Sequence, residues 1–339
     1  MNGFRKMMTA LCILALLGAL LTACGSNSGE SSSDGGSNNK GTAQGSTTVP
    51  PAQASDEAEE TADGTRSYTD YKGHVIELST APQRIIYAGE TIGDLIVLDA
   101  PIIGTPHNWV QGSVYVDRLK DVADVGFPIN LEKALELQPD LIITGSTEEK
   151  DYEQLSKIAP TLMFDTFAPL EDRMTLLGDL LGKKEQAAEW IAKYNASTGE
   201  MWKELYEKGL TPGETASVFT YYPGDRLFVM AATGLSQVLY HPDGLKPTPA
   251  IQKILDDKKG FEQISMETLA EYAGDRIFIL KAVDKEAQQS TDALFQSNIW
   301  KNLPAVKNNR VYTIDILKSN SDAATREWLL QELARMLQQ

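Results

Sequence analysis

Residues 130–143 read NLEKALELQPDLII, and they align without gaps on residues 265–278, SMETLAEYAGDRIF. In each copy a capping side chain, Asn130 or Ser265, opens a short helix, an acid follows two residues later (Glu132 and Glu267), and an Asp (Asp140 and Asp275) precedes the next apolar strand. A first-turn acid is favoured by the helix dipole anywhere, so neither glutamate means much alone. The matched pair implies a chain built from two similar halves.

Working outward, residues 84–89 (RIIYAG), 102–106, 140–145 and 161–165 read as short, continuously apolar strands buried on both faces. Helical patterns at 91–98, 130–137, 148–158 and 171–181 alternate with them, which argues for a parallel sheet covered by helices. After Gly213 the pattern restarts, with strands at 216–221, 227–231, 276–280 and 310–314 and helices around 235–240, 249–256, 266–272, 293–302 and 322–337. The chain is therefore expected to carry two α/β lobes. Between them, residues 184–208 place apolar or small side chains at 188, 191, 198, 202 and 205, close to the spacing of one helix face. A helix of ~25 residues is ~37 Å long. A single helix joining the lobes restrains their relative motion more than a pair of extended strands.

The 339 residues contain 31 Lys+Arg and 47 Asp+Glu, a formal charge of −16, which argues against nucleic-acid binding. Residues 1–24 read MNGFRKMMTALCILALLGALLTAC, with Arg5 and Lys6 ahead of an apolar run too short to span a bilayer comfortably. They are read as an export signal. Its last residues, Leu21-Thr22-Ala23-Cys24, resemble the lipobox of bacterial lipoproteins, in which cleavage precedes the Cys and that Cys carries the lipid. With Cys12 in the removed segment, the mature chain keeps Cys24 alone, so no disulfide is expected. From Gly25 to about Arg66 the composition is Ser, Gly, Asn, Thr, Pro and acid, too polar to fold, and ~40 such residues reach on the order of 35 Å. The boundaries expected are a signal at 1–23, a lipidated Cys24 and tether at 24–67, a first lobe at 68–183, a linking helix at 184–209 and a second lobe at 210–339.

Residues 82–86 (PQRII), the Asp124-Val125-Gly126 turn with Asn130-Leu131-Glu132, residues 138–142 (QPDLI) and residues 300–312 (WKNLPAVKNNRVY) resemble, in order and spacing, a known family. It is the family of substrate-binding lipoproteins serving ABC importers of ferric siderophores, haem and vitamin B12. The resemblance covers roughly 68–337. It implies an α/β fold of two Rossmann-like lobes joined by one long helix, the class III arrangement, with ligand held between the lobes and little closure on binding. It also implies that Glu132 and Glu267 dock onto basic residues of a permease dimer, one on each half. The molecule is then an extracytoplasmic monomer, lipid-anchored at the outer face of the cell membrane, that hands a ferric siderophore to its importer.

Ligand chemistry in such a fold is expected on loops just after strands. In the first lobe these hold His107, Trp109, Tyr115 and Arg118, and in the second Tyr221, Tyr222 and Arg226, with Lys281 and Lys318 near strand ends. Aromatic rings with a guanidinium suit a bulky metal chelate, because rings cover apolar surface and Arg bonds chelating oxygens. Arg226 is the leading candidate. The three histidines, His74, His107 and His241, lack metal-ligand spacing, so no protein-held metal or cofactor is expected. The alternatives are a haem or cobalamin receptor of the same fold, with His107 and Met230 as axial haem ligands, or a surface hydrolase using paired carboxylates. No nucleophile elbow, metal triad or phosphate loop supports the last, and no catalysis is expected.

Overall fold

The computed structural model describes residues 59–60 and 65–338. The export signal, Cys24 and most of the tether lie outside them. A three-stranded antiparallel sheet comes first: β1 (Glu59–Glu60), β2 (Arg66–Thr69) and β3 (Val75–Leu78). β2 thus begins inside the stretch read as tether. Arg66 is fixed there because its Nη1 donates to the Asp179 carbonyl at 2.6 Å, and Tyr68 and Ile76 bury their side chains beside it.

The first lobe is an all-parallel sheet of β4 (Ile85–Ala88), β5 (Ile102–Thr105), β6 (Ala123–Asp124), β7 (Leu141–Thr144) and β8 (Thr161–Met163). Every residue of β4 and β7 is buried, as expected of strands covered by helices on both faces. The covering helices are α1 (Ile92–Val97), α2 (His107–Val110), α3 (Leu131–Glu136), α4 (Glu149–Leu155) and α5 (Leu170–Leu180). The spatial order β6-β5-β4-β7-β8 makes the first strand central, so the sheet is doubly wound with its switch point between β4 and β7.

α6 (Lys184–Glu207), 24 residues long, leaves this lobe and enters the second. There β9 (Thr215–Tyr222), β10 (Arg226–Met230), β11 (Lys246–Pro247), β12 (Phe261–Ile264), β13 (Arg276–Lys281) and β14 (Val311–Asp315) form a sheet of order β12-β10-β9-β13-β14, with β11 beside β9. The strand order repeats that of the first lobe, but the sheet is not wholly parallel. β9, β10 and β12 pair antiparallel. The cause is the connection at 223–225, since a parallel crossover needs a dozen residues or more and three can only form a hairpin. Gly224 and Asp225 adopt φ of 78° and 56° to close it.

The remaining helices are α7 (Leu235–Leu239), α8 (Pro249–Asp256), α9 (Leu269–Tyr272), α10 (Lys285–Gln296), α11 (Asn298–Asn302), α12 (Pro304–Lys307) and α13 (Ala323–Leu337). The helix expected at 293–302 starts earlier, at Lys285 under an Asp284 cap. It is broken at Ser297, whose Oγ accepts from Trp300 N at 3.1 Å and starts α11.

The internal repeat is structural. Asn130 Oδ1 accepts from Lys133 N at 3.0 Å and Ser265 Oγ from Thr268 N at 3.3 Å, the same bond in both copies. Asp140 Oδ1 accepts from Arg84 N at 2.9 Å beside β4, and Asp275 Oδ2 from Thr215 N at 2.8 Å at the start of β9. Each Asp therefore sets the register of the central strand against its parallel neighbour. One difference matters: Glu132 lies in a helix, whereas Glu267 lies in the turn preceding α9. Both are exposed.

The lobes share a core. Ile85, Tyr87 and Leu141 belong to one apolar cluster that continues through Trp202 and Leu205 of α6 and Leu329 and Leu333 of α13 to Val218 and Phe278 of the second sheet. The opposite face of that sheet packs Phe219, Tyr221, Leu227 and Val229 in a separate cluster.

Candidate functional site

At the switch point the strands end in Gly89 and Gly145, which meet backbone to backbone. A Cβ at Gly145 would stand 3.3 Å from Gly89 Cα. Doubly wound sheets bind ligands at such crevices, outside the carboxyl ends of the strands. Next to it, Tyr87 and Thr91 share a hydroxyl bond of 2.8 Å that fixes the entrance to α1.

Where this edge meets the second lobe, a buried polar seam ties the two together. Asp94 in α1 receives Arg173 Nε at 2.8 Å and, across the seam, Ala323 N at 2.7 Å. Arg173 spends its other donors on the carbonyls of Thr166 (3.3 Å), Ala168 (2.7 Å) and, again across the seam, Ser321 (2.9 Å). Asp322 caps α13 through Thr325 N at 2.8 Å and accepts from Tyr115 Oη at 3.2 Å. Gly93 lets it approach, because a Cβ there would stand 1.8 Å from Asp322 Oδ1. Burial, and then the charge of nearby Asp94, push the Asp322 carboxyl up to about 7. The same burial, reinforced by Asp322, raises the Tyr115 hydroxyl well above its ordinary value.

The second lobe presents a strip of aromatics. Tyr222 pairs with Arg226, Thr220 and Gln263 with Phe228, and Met230 with Phe261. Opposed residues share a face, so all of these lie on the side of the sheet away from Leu227 and Val229, which are buried in the second core. Arg226 Cζ sits 5.5 Å above the Tyr222 ring, Tyr222 packs edgewise on Phe228 at 6.1 Å, and Phe228 on Phe261 at 5.9 Å. The strip ends at Gly260, over which the first lobe's Phe167 lays its ring, 3.9 Å from where a Cβ would stand.

The candidate residues divide accordingly. Arg226 and Tyr222 are together. Arg226 Nε is bonded to the Pro223 carbonyl at 3.0 Å, while both terminal nitrogens have no partner among the described residues. Tyr221 faces the core instead, its hydroxyl bonding Asp225 at 2.7 Å and held up at about 12 by burial and that carboxylate. Tyr115 belongs to the seam. Lys318 follows Leu317, which touches Gly112 of the first lobe, and so lies beside the seam. Lys281 is exposed at the end of β13. Trp109 packs on Phe127 with the rings tilted and their centroids 4.4 Å apart. His107 is committed locally, with Nε2 donating to the Val122 carbonyl at 2.8 Å, and Met230 Sδ accepts from Thr233 Oγ1 at 3.5 Å, so neither is poised as a haem ligand. Arg118 is a departure from its expected place. It closes the far end of α1, donating to the Ile96 carbonyl and to Asp99 Oδ1, both at 2.9 Å.

Phe167, Phe228, Phe261, Gly89 and Gly145 were not singled out in the sequence. The glycines do carry a signal, since each ends an apolar strand. A cavity of about 470 Å³ elsewhere, lined by Arg276, Arg310 and Tyr312, lies at the opposite ends of β13 and β14. Its two arginines are both paired to Glu214, at 2.6 and 3.1 Å. The described residues hold no cluster of three or more potential metal ligands, and no helix among them is long and apolar enough to cross a membrane.

The chain matches the family described as periplasmic binding protein over residues 85–316, from β4 of the first lobe through α6 to the end of β14 in the second. The chain belongs to that family. This binding protein is 34% identical over 275 residues to the iron(3+)-hydroxamate-binding protein YxeB of Bacillus subtilis strain 168, covering 79% of this chain and 83% of the relative. It superimposes on the FhuD protein from S. pseudintermedius with a TM-score of 0.71 at 28% identity, over 81% of this chain and 98% of that one. It also superimposes on Staphylococcus aureus SirA complexed with staphyloferrin B, with a TM-score of 0.71 at 29% identity, over 80% and 99%. The two-lobed α/β fold implied by the resemblance is thus the fold of this binding protein, and its family is one of binding proteins rather than enzymes.

Proposed function

We propose that the chain captures a ferric hydroxamate siderophore between its lobes and delivers it to the permease dimer of an ABC importer, held at the outer face of the membrane by a lipid on Cys24. The observation that carries the ligand class is the strip of aromatics ending in one guanidinium whose terminal nitrogens have no partner among the described residues. Three hydroxamates neutralise ferric iron, leaving a bulky, weakly charged chelate that rings can cover and one Arg can orient. A ferric tris-catecholate keeps its negative charges and calls for several unpaired cations. Similarity to an iron(3+)-hydroxamate-binding protein supports the same reading.

Titration of tryptophan fluorescence with ferric chelates tests it. Ferric trihydroxamates are expected to quench, and Arg226→Ala to weaken them by about tenfold or more, as for a charge-assisted hydrogen bond lost from a site. Indifference to hydroxamate, catecholate and citrate complexes alike defeats the proposal. Delivery is tested separately with Glu132→Ala combined with Glu267→Ala. Both glutamates are exposed and occupy repeat-related positions, so chelate binding should be untouched while uptake into cells falls. Undiminished uptake rules out the docking role.

A further inference from the structure

We propose that Phe167 is a specificity-determining residue whose ring covers the apolar arms of the bound chelate. The inference rests on the reading that the chelate lies between the lobes.

Phe167 is 66% exposed, an unusual state for a phenyl ring on a loop that is otherwise tightly fixed. Its amide donates to Asp165 Oδ1 at 2.9 Å, and the carbonyls on either side of it, Thr166 and Ala168, both accept from Arg173. Arg173 is itself 1% exposed, and its bonds to Asp94 and to Ser321 fix it relative to both lobes. The backbone that carries the ring therefore stands at a set place at the rim of the seam. The ring reaches over Gly260, which must lack a side chain because its Cβ would stand 2.8 Å from Thr233 Cγ2.

Beyond Gly260 the apolar surface continues through Phe261, itself 47% exposed, to Phe228 and Tyr222, ending at Arg226. A chelate with its iron centre toward Arg226 would lay its hydrocarbon arms along this strip and under Phe167. Because the backbone that carries the ring is already held, covering the ring orders only its side-chain torsions, which reduces the entropic cost of binding. A ring serving only to join the lobes has no reason to leave most of its surface in water.

The test is stopped-flow dissociation of ferrioxamine B, a ferric trihydroxamate with polymethylene arms, from the purified chain, alongside the melting temperature without ligand. Phe167→Ala should speed dissociation by about tenfold, the scale of a well-placed aromatic anchor, with melting unchanged because so little of the ring is buried. Phe167→Tyr, which keeps the ring, should restore slow dissociation. A Phe167→Ala rate within about twofold of wild type, or a faster rate matched by a fall in melting temperature and not rescued by Tyr, overturns the inference. If the wild-type chain binds no ferric chelate at all, the reading under Proposed function fails first and takes this one with it.

Discussion

Replacing Arg173 by Met is expected to cost about 3–5 kcal/mol of folding stability, the loss typical of removing one partner from a buried ion pair. The size follows from what is left behind. Asp94 is fully buried, and without the guanidinium its charge keeps only the Ala323 amide. The carbonyls of Thr166, Ala168 and Ser321 lose their donor in the same step. Adding Asp94→Asn removes the stranded charge, so the double variant should recover part of the loss even though it is further from the natural sequence. Urea unfolding of the three variants measures this. An Arg173→Met loss below about 1 kcal/mol means the seam is wet and the pair weak.

The second large effect is a contribution to the pH dependence of stability that a single substitution should remove. Asp322 ionises at about 7 in the fold, far above the ordinary carboxylate value near 3.9, because the site is dry and Asp94 is close. The folded chain therefore holds a proton that the unfolded chain has released, so this group's contribution is complete below about pH 4 and is lost as pH rises toward 7. Within that window the slope approaches about 1.4 kcal/mol per pH unit, flattening above it. Asn can keep the cap on Thr325 but cannot titrate. The stability of wild type minus that of Asp322→Asn should fall between pH 4 and 7, leaving the variant the more stable of the two at pH 8. Taking the difference cancels the opposite trend of carboxylates held low, such as Asp124 and Asp275. A difference that does not change with pH shows that Asp322 is ionised throughout.

How much of this could be read from the chain depends on the range of the interaction. The repeat was legible because its signals are local: Asn130 and Ser265 each bond an amide three residues on, and Asp140 and Asp275 stand directly before strands. The hairpin at 223–225 was legible too, since Pro-Gly-Asp between two apolar runs is a turn signal, but the regular alternation of the first lobe outweighed it. The seam was not. Asp94 reads locally as an ordinary acid in a first helical turn, and its partners are Arg173, 79 residues away, and Ala323, 229 residues away. Tyr221 and Tyr222 are neighbours of one type, yet the alternation of a strand sends one into the core and the other to the strip, which composition cannot show. The bonds that Arg118 makes to the end of α1 were equally hidden, because an arginine that closes a distant helix end looks the same in sequence as one that waits for an anion.

The placement of α13 has a consequence for how the chain matures. The first lobe's sheet is complete by Met163, but the side of α1 that faces Asp322 and Ala323 is covered only by the last helix in chain order and its cap. A chain emerging amino end first would pair Asp94 with Arg173 early but would leave the face of α1 that meets α13 open to water until nearly all of it had emerged. The first half would therefore complete its packing only when the last helix docks on it.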